Sequence, residues 1–204
     1  MATFIVYSDT TDASISSNNA DYATARAGSN LSVNTTDNVV YVSCTWTGAI
    51  YAFTILALPF NTSGLSGGTV TAANLSMFKT SGTGTEAQAT VKYANFTNNP
   101  VQTSDWKSPS VANAFTTAAA IDDAGFGTFT VGMSGVGNIN TSGTTYLGIW
   151  ADRFLDGTVP TTFNWLSLYS ANNGGTASDP KLTITYTYAY VRSIVRGIAR
   201  GIIR

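Results

Sequence analysis

The sequence predicts an all-β protein, a single antiparallel β-sandwich or jelly roll with a short C-terminal amphipathic tail. Short stretches with a hydrophobic period of two recur along the chain, and clusters of Gly, Asn, Ser and Pro separate them. Helical periodicity is scarce before residue 190. No linker divides these 204 residues, so we expect one β-sandwich over 1–190 and a docking tail over 191–204.

The strand candidates follow one another between turn signals. In the clearest one, Leu182 and Ile184 alternate with Thr183 and Thr185 after the turn at 179–180, which predicts one face on a core. Similar segments lie at 38–46, 50–58, 69–79, 87–96, 126–133, 144–151 and 163–169, with weaker candidates at 3–7 and 20–26. The 50–58 segment is apolar on both faces, which predicts a central strand covered on both sides. Within the body, helical signal is confined to about 110–123.

Two blocks of the sequence resemble the DNRLRE family of β-sandwich domains. The segment 50–82 resembles that family's core motif at Leu65, Gly68, Val70, Ala73 and Leu75, although Ala52 and Thr54 stand where the family usually has Arg. The ending at Pro180, Leu182, Ile184 and Tyr186 is similar to the family's closing pattern, and Tyr22 matches its opening. The resemblance implies a sandwich of the kind found in secreted, cell-surface and phage structural proteins.

The composition excludes several kinds of catalysis. The chain has no His and one Cys, so a Ser-His-Asp triad, a Cys-His pair and a His-ligated zinc are excluded, and Cys44 has no intrachain disulfide partner. Only 10% of residues are charged, whereas Ser and Thr fill 52 positions. We therefore expect a non-enzymatic protein without a cofactor, whose polar surface consists mainly of hydroxyls and amides.

Paired carboxylates raise two further questions. Glycosidases use two carboxylates across a cleft, but the pairs in this sequence lie in turn-like contexts and are better explained as turn residues. These pairs are Asp9 with Asp12, Asp122 with Asp123, and Asp152 with Asp156. Asp9, Asp12 and Asp21 are also weak candidates for a structural Ca²⁺ site, since hard cations take loop oxygens. The preferred alternative is that these three residues cap turns in solvent.

The tryptophans divide into two groups. Trp46, Trp150 and Trp165 lie within apolar strand patterns, which predicts core positions. Trp106 lies between turn residues, so it is the best candidate for contact with a glycan.

The tail has a four-residue repeat and a charge opposite to that of the body. Residues 1–190 hold six basic and all 11 acidic groups, a formal charge of −5, while 191–204 carry four Arg, a charge of +4. As a helix, the repeat places the Arg side chains largely opposite the apolar ones. The predicted docking residues are Arg192, Ile194, Arg196, Ile198, Arg200, Ile202 and Arg204. We prefer docking onto another subunit or another copy, with a frayed terminus and membrane-surface contact as alternatives.

These observations favour a structural protein of an assembly, namely a phage virion component such as a decoration, head-fibre or tail protein. It would be a homo-oligomer or bind other subunits of the assembly through the tail. No signal peptide is expected from the first residues, which suits a virion product. The body also lacks a stripe of basic residues of the kind that binds nucleic acid. The alternative is a carbohydrate-binding or adhesive module of an extracellular, cell-surface protein.

Overall fold

The computed structural model describes residues 1–83, 88–121 and 127–188, which form an antiparallel β-sandwich. The strands are β1 Ala2–Tyr7, β2 Ala13–Asn19, β3 Ser32–Asn34, β4 Val39–Trp46, β5 Tyr51–Asn61, β6 Gly68–Thr83, β7 Ala89–Tyr93, β8 Thr117–Ile121, β9 Gly127–Met133, β10 Thr144–Ala151, β11 Trp165–Tyr169 and β12 Lys181–Tyr188. Three short helices join them: α1 Tyr22–Gly28, α2 Pro109–Ala114 and α3 Asp152–Asp156. None of the helices among the described residues is long and apolar enough to cross a membrane. The order and pairing of these strands confirm the predicted all-β antiparallel sandwich, while the predicted amphipathic tail lies outside the described residues.

Two long strands allow the sheet to curl around a core. The hydrogen-bonded order is β1-β12-β6-β11-β4-β5-β10-β7-β8, with β2 also on β5, β3 on β2 and β9 on β6. Strand β5 pairs with β4 over residues 51–54 and with β10 over 56–61. Strand β6 likewise pairs with β12 over residues 68–76 and with β11 over 79–83. Because each long strand changes its neighbour along its length, one continuous sheet forms both layers of the sandwich.

Strand β5 is the centre of the core, as the apolar 50–58 segment predicts. Phe53, Leu56, Leu58 and Phe60 of β5 are completely buried. Trp150 of the neighbouring strand β10 is also completely buried, which confirms its predicted core position. Burying one large apolar side chain contributes about 1.5–3 kcal/mol to folding, so this strand contributes a large share of the stability.

Two local predictions are wrong. The weak strand candidate at 20–26 is mainly the helix α1, because Asp21 caps its N-terminus by accepting hydrogen bonds from the Thr24 amide and hydroxyl. Only the first part of the helix predicted at 110–123 is helical, in α2. The strand β8 forms the second part, and its Ala118 and Ile121 side chains are buried. The sequence also did not predict β2, β3 or β8 as strands.

Of the described glycines, Gly148 leaves the least room for an added Cβ. A Cβ on Gly148 would overlap the six-membered ring of Trp150, which is buried and cannot swing into solvent. We expect Gly148→Ala to lower the free energy of unfolding by about 1–3 kcal/mol, measured by urea denaturation. Gly137→Ala is the matched control, because a Cβ there would meet no atom within 4 Å. Equal stability of the two variants would contradict this packing.

Candidate functional site

A large groove in the described part of the chain lies on one face of five neighbouring strands. It has a volume of about 530 Å³ and is open along its length. The strands that form its floor are β3, β2, β5, β4 and β11. Its lining consists of Ser14, Ser16, Ser32, Asn34, Asp37, Tyr41, Ser43, Thr45, Thr54, Phe163 and Trp165.

Strand register places a row of hydroxyl side chains across the floor of the groove. Ser32 pairs with Ser16, Ser16 with Thr54, and Thr54 with Ser43, so the hydroxyl row crosses four strands. Ser43 in turn pairs with Trp165 of β11, where the row ends. The Ser16 Oγ and Thr54 Oγ1 atoms are 3.0 Å apart and hydrogen-bonded. The floor therefore offers several hydroxyls that both donate and accept hydrogen bonds.

The opposite face of the same strands explains why these hydroxyls point outward. Ile15, Cys44 and Phe53 alternate with the groove residues and are completely buried in the core. Because successive side chains of a strand point to opposite faces, burying this apolar set fixes the hydroxyl set on the groove side of the sheet. On that side Ser16 and Thr54 are half-buried, whereas Ser14, Ser43 and Thr45 are buried.

Three aromatic side chains form one wall of the groove. Trp165 is half-buried and packs edge-on against Tyr41, with ring centroids 5.8 Å apart and planes at 64°. Tyr41 is 43% exposed and Phe163 is 56% exposed. Large aromatic surfaces held at the edge of a polar floor can contact a ligand that has both apolar and polar faces.

The β3–β4 turn closes one end of the groove. The Asn34 Oδ1 atom accepts hydrogen bonds from the Thr36 and Asp37 amides, and the Asn34 side-chain amide donates to the Asp37 carboxylate. The Ser170 hydroxyl donates to the Asp37 carbonyl at 2.6 Å. Asp37 is the one charged residue among the described residues that line the groove, so the site suits a ligand without strong negative charge.

Trp106, the predicted glycan residue, lies outside this groove. Its ring is half-buried and packs edge-on against Phe154, with centroids 5.6 Å apart. It also lies directly over Gly28, where a Cβ would come within 2.6 Å of the indole. The indole Nε1 is buried without a hydrogen-bond partner. In this geometry Trp106 is a packing residue more than an open platform, and its contact with a glycan stays a prediction.

Trp46 and Trp165, which the strand pattern predicts in the core, are both half-buried. Trp46 stacks on Tyr51 with centroids 4.3 Å apart, at the end of the β4–β5 hairpin. Trp165, by contrast, is a groove residue. The period of two locates both residues on strands, but it does not show which face carries a cleft.

The three predicted calcium residues are not brought together. Asp21 is exposed and caps α1, while Asp9 is exposed and accepts a hydrogen bond from the Thr11 amide in its own turn. Asp12 is completely buried. Among the described residues, no three His, Cys, Asp or Glu side chains form a group that could hold a metal ion.

The other carboxylate pairs have ordinary surroundings where they are described. Asp152 accepts a hydrogen bond from the Thr90 hydroxyl, and Asp156 accepts one from the Thr158 amide in a turn. Asp122 and Asp123 lie outside the described residues. The predicted docking tail 191–204 also lies outside them, so its conformation stays a prediction.

No protein-family model matches this chain, and a search of the curated proteins finds no match either. The resemblance to the DNRLRE family therefore stays a prediction.

Asp12 has an unusual electrostatic environment. Burial raises the pKa of this carboxyl to about 6, and the negative charges of Asp179 and Asp9 add to the increase. The single hydrogen bond to Asp12 Oδ2, from the Ala171 amide at 2.8 Å, opposes these effects only in part. At neutral pH the charged form of Asp12 therefore destabilises the folded chain.

A carboxyl whose pKa is raised by folding binds its proton more tightly in the folded state, so its contribution favours folding as the pH falls. Asp12→Asn should therefore be more stable than wild type at pH 8, by up to about 3 kcal/mol, with a difference that shrinks as the pH falls through 6 toward 4. The measurement is urea unfolding from pH 4 to 8 in a chelating buffer. Asp21→Asn is the control, because the pKa of Asp21 is lowered by hydrogen bonds from Thr24 and its contribution has the opposite sign. Parallel curves for wild type and Asp12→Asn would contradict the electrostatic argument.

Proposed function

We propose that this chain is a non-enzymatic carbohydrate-binding module, and that the groove on β3, β2, β5, β4 and β11 is its binding site. The observation that carries the proposal is the combination of an aromatic wall with a floor of hydroxyl side chains in one open groove. This differs from the sequence-based choice of Trp106, because the groove supplies several aromatic residues and several hydrogen-bonding groups together.

The chemistry of the groove matches that of a sugar. A pyranose ring has an apolar C–H face that packs on Tyr41, Phe163 or Trp165, and a rim of hydroxyls that hydrogen-bond with Ser, Thr and Asn side chains. Ser32, Ser16 and Thr54 lie in one row across three strands and none of them is buried, so they can contact successive polar groups of an extended ligand.

Other ligand classes fit less well. Nucleic acids require cationic side chains along the phosphate backbone, and the described lining has none. A lipid chain requires a predominantly apolar cleft, whereas six of the lining residues are Ser or Thr. A neutral saccharide is the ligand that uses both the aromatic wall and the hydroxyl floor.

The binding proposal is tested by substituting Tyr41, an exposed aromatic residue of the wall. Wild-type protein is first screened on an array of neutral and acidic glycans, and the affinity for the best ligand is then measured by calorimetry. Tyr41→Ala should weaken binding by at least about 10-fold, because a stacking surface worth about 1.5 kcal/mol is lost. Tyr41→Phe keeps the ring and should bind within a few-fold of wild type.

Trp106→Phe is the matched control outside the groove, and its affinity should equal that of wild type. Two results would overturn the proposal: no glycan bound by wild type, or binding lost in Trp106→Phe and retained in Tyr41→Ala.

We further propose that the module belongs to a larger assembly, with a phage virion as the leading setting and the cell surface as the alternative. The specific observation is the Arg/Ile repeat of the tail, which carries +4 beside a body of −5. A short segment of this composition gains order by docking against another protein surface. The glycan groove would then face outward from the assembly.

Removal of residues 191–204 tests the assembly proposal separately from glycan binding. We expect the truncated chain to have a smaller assembly size by light scattering and an unchanged glycan affinity. The control replaces Arg192, Arg196, Arg200 and Arg204 by Lys, which keeps the charge of the tail. Unchanged assembly size after truncation would contradict the docking role, whatever the glycan result.

A further inference from the structure

The strongest unexplained feature of the molecule is an acidic pair at one end of the sandwich, in which Asp12 is buried and Asp179 is half-buried. Asp12 lies just before β2 and is completely buried, and its Oδ1 atom has no hydrogen-bond partner. Asp179 lies just before β12, and its Oδ1 atom is also buried without a partner. The Oγ1 atom of Thr11, the residue before Asp12 in the chain, is a third buried oxygen without a hydrogen-bond partner.

The backbone brings these two segments together. The Ser8 amide donates to the Pro180 carbonyl at 2.8 Å, and the Asp12 amide donates to the Asp9 carbonyl at 2.9 Å. The charges that act on the Asp12 carboxyl are those of Asp179 and Asp9, both negative. The pair therefore combines two like charges with oxygen atoms that lack hydrogen-bond donors.

Asp105 shows how the same fold satisfies a buried carboxylate by itself. It is as completely buried as Asp12, but its two oxygens accept four hydrogen bonds, from the Thr97 amide and hydroxyl, the Asn98 side-chain amide and the Gln102 amide. Burial pushes the pKa of Asp105 upward, yet these hydrogen bonds outweigh it and hold the pKa below its usual value. Asp12 receives one hydrogen bond in place of four.

An unpaired buried carboxylate costs several kcal/mol unless a donor or a cation compensates it. A cation satisfies two carboxylates and a neutral hydroxyl at once, whereas a shared proton leaves the Thr11 oxygen unexplained. Hard cations such as Ca²⁺ take carboxylate, hydroxyl and water oxygens in flexible geometry, so two acidic side chains suffice when neutral oxygens complete the shell.

Solvent reaches the pair from the Asp179 side. Asp179 lines a cavity of about 250 Å³ that opens to solvent, together with Tyr7, Ser76 and Lys181, whereas Asp12 and Thr11 lie outside its lining. A hydrated ion fits in this cavity and reaches the Asp179 carboxylate from it.

We propose that Asp12 and Asp179, with the Thr11 hydroxyl, form a calcium site that joins the start of β2 to the start of β12. The site keeps only Asp12 from the sequence-based grouping of Asp9, Asp12 and Asp21, and it adds the Thr11 hydroxyl and Asp179, which lies far away in the chain. None of its three side chains lines the glycan groove, so calcium binding and glycan binding can be measured separately.

The test uses the full chain after removal of divalent ions with a chelator. Calorimetric titration with CaCl₂ should show one site per chain, and the melting temperature should rise by about 5–10 °C when free Ca²⁺ is 100 times Kd. Asp12→Asn and Asp179→Asn should each abolish the calorimetric signal and the rise in melting temperature. Because Asn removes the buried charge, the Asp12→Asn protein should melt no lower than wild type in chelator, which separates lost binding from lost folding.

Asp21→Asn is the matched control, since Asn also caps helices and Asp21 is far from the pair. It should bind Ca²⁺ as wild type does. The proposal is overturned if wild type shows neither heat nor a change in melting temperature with Ca²⁺, or if Asp12→Asn binds Ca²⁺ as tightly as wild type.

Discussion

The burial of β5 on both faces from Ile55 to Phe60 constrains the rest of the structure. A segment with no exposed face must pair its backbone N–H and C=O groups inside the protein, so β5 needs neighbours along both edges. Strand β5 meets this requirement with three partners: β2 on residues 51–57, β4 on 51–54 and β10 on 56–61. The change from β4 to β10 turns the sheet around the β5 side chains, and the sandwich closes over them as a consequence.

The same constraint fixes which side chains line the groove. Once Ile15, Phe53 and Cys44 point into the core, the intervening side chains of their strands must point to the opposite face of the sheet. In this chain those positions are Ser16, Thr54 and related hydroxyl residues, so the floor of the groove is polar without carrying charge.

The sequence predicts the strands that have a strong alternation of apolar and polar residues. It does not predict strands that form because a neighbouring strand pairs with them. Strand β4 is predictable because its Val and Cys residues alternate with Tyr, Ser and Thr, whereas β2 has Ile15 as its one large apolar residue and forms because β5 lies beside it. The groove was missed for a related reason. Its central row depends on the register between strands distant in the chain, and the alternation of Tyr41, Ser43 and Thr45 was the available signal.

Hydrogen bonds from the 170–172 segment link the groove to the acidic pair. The Asp12 carboxylate accepts from the Ala171 amide, and the flanking residues Ser170 and Asn172 donate to carbonyls of the β3–β4 turn, those of Asp37 and Thr35. That turn closes one end of the groove, and Ser14 of the groove follows Asp12 by two residues. Whatever compensates the charge of Asp12 therefore also fixes the loop that holds the groove end, because the same three consecutive residues bridge the two regions.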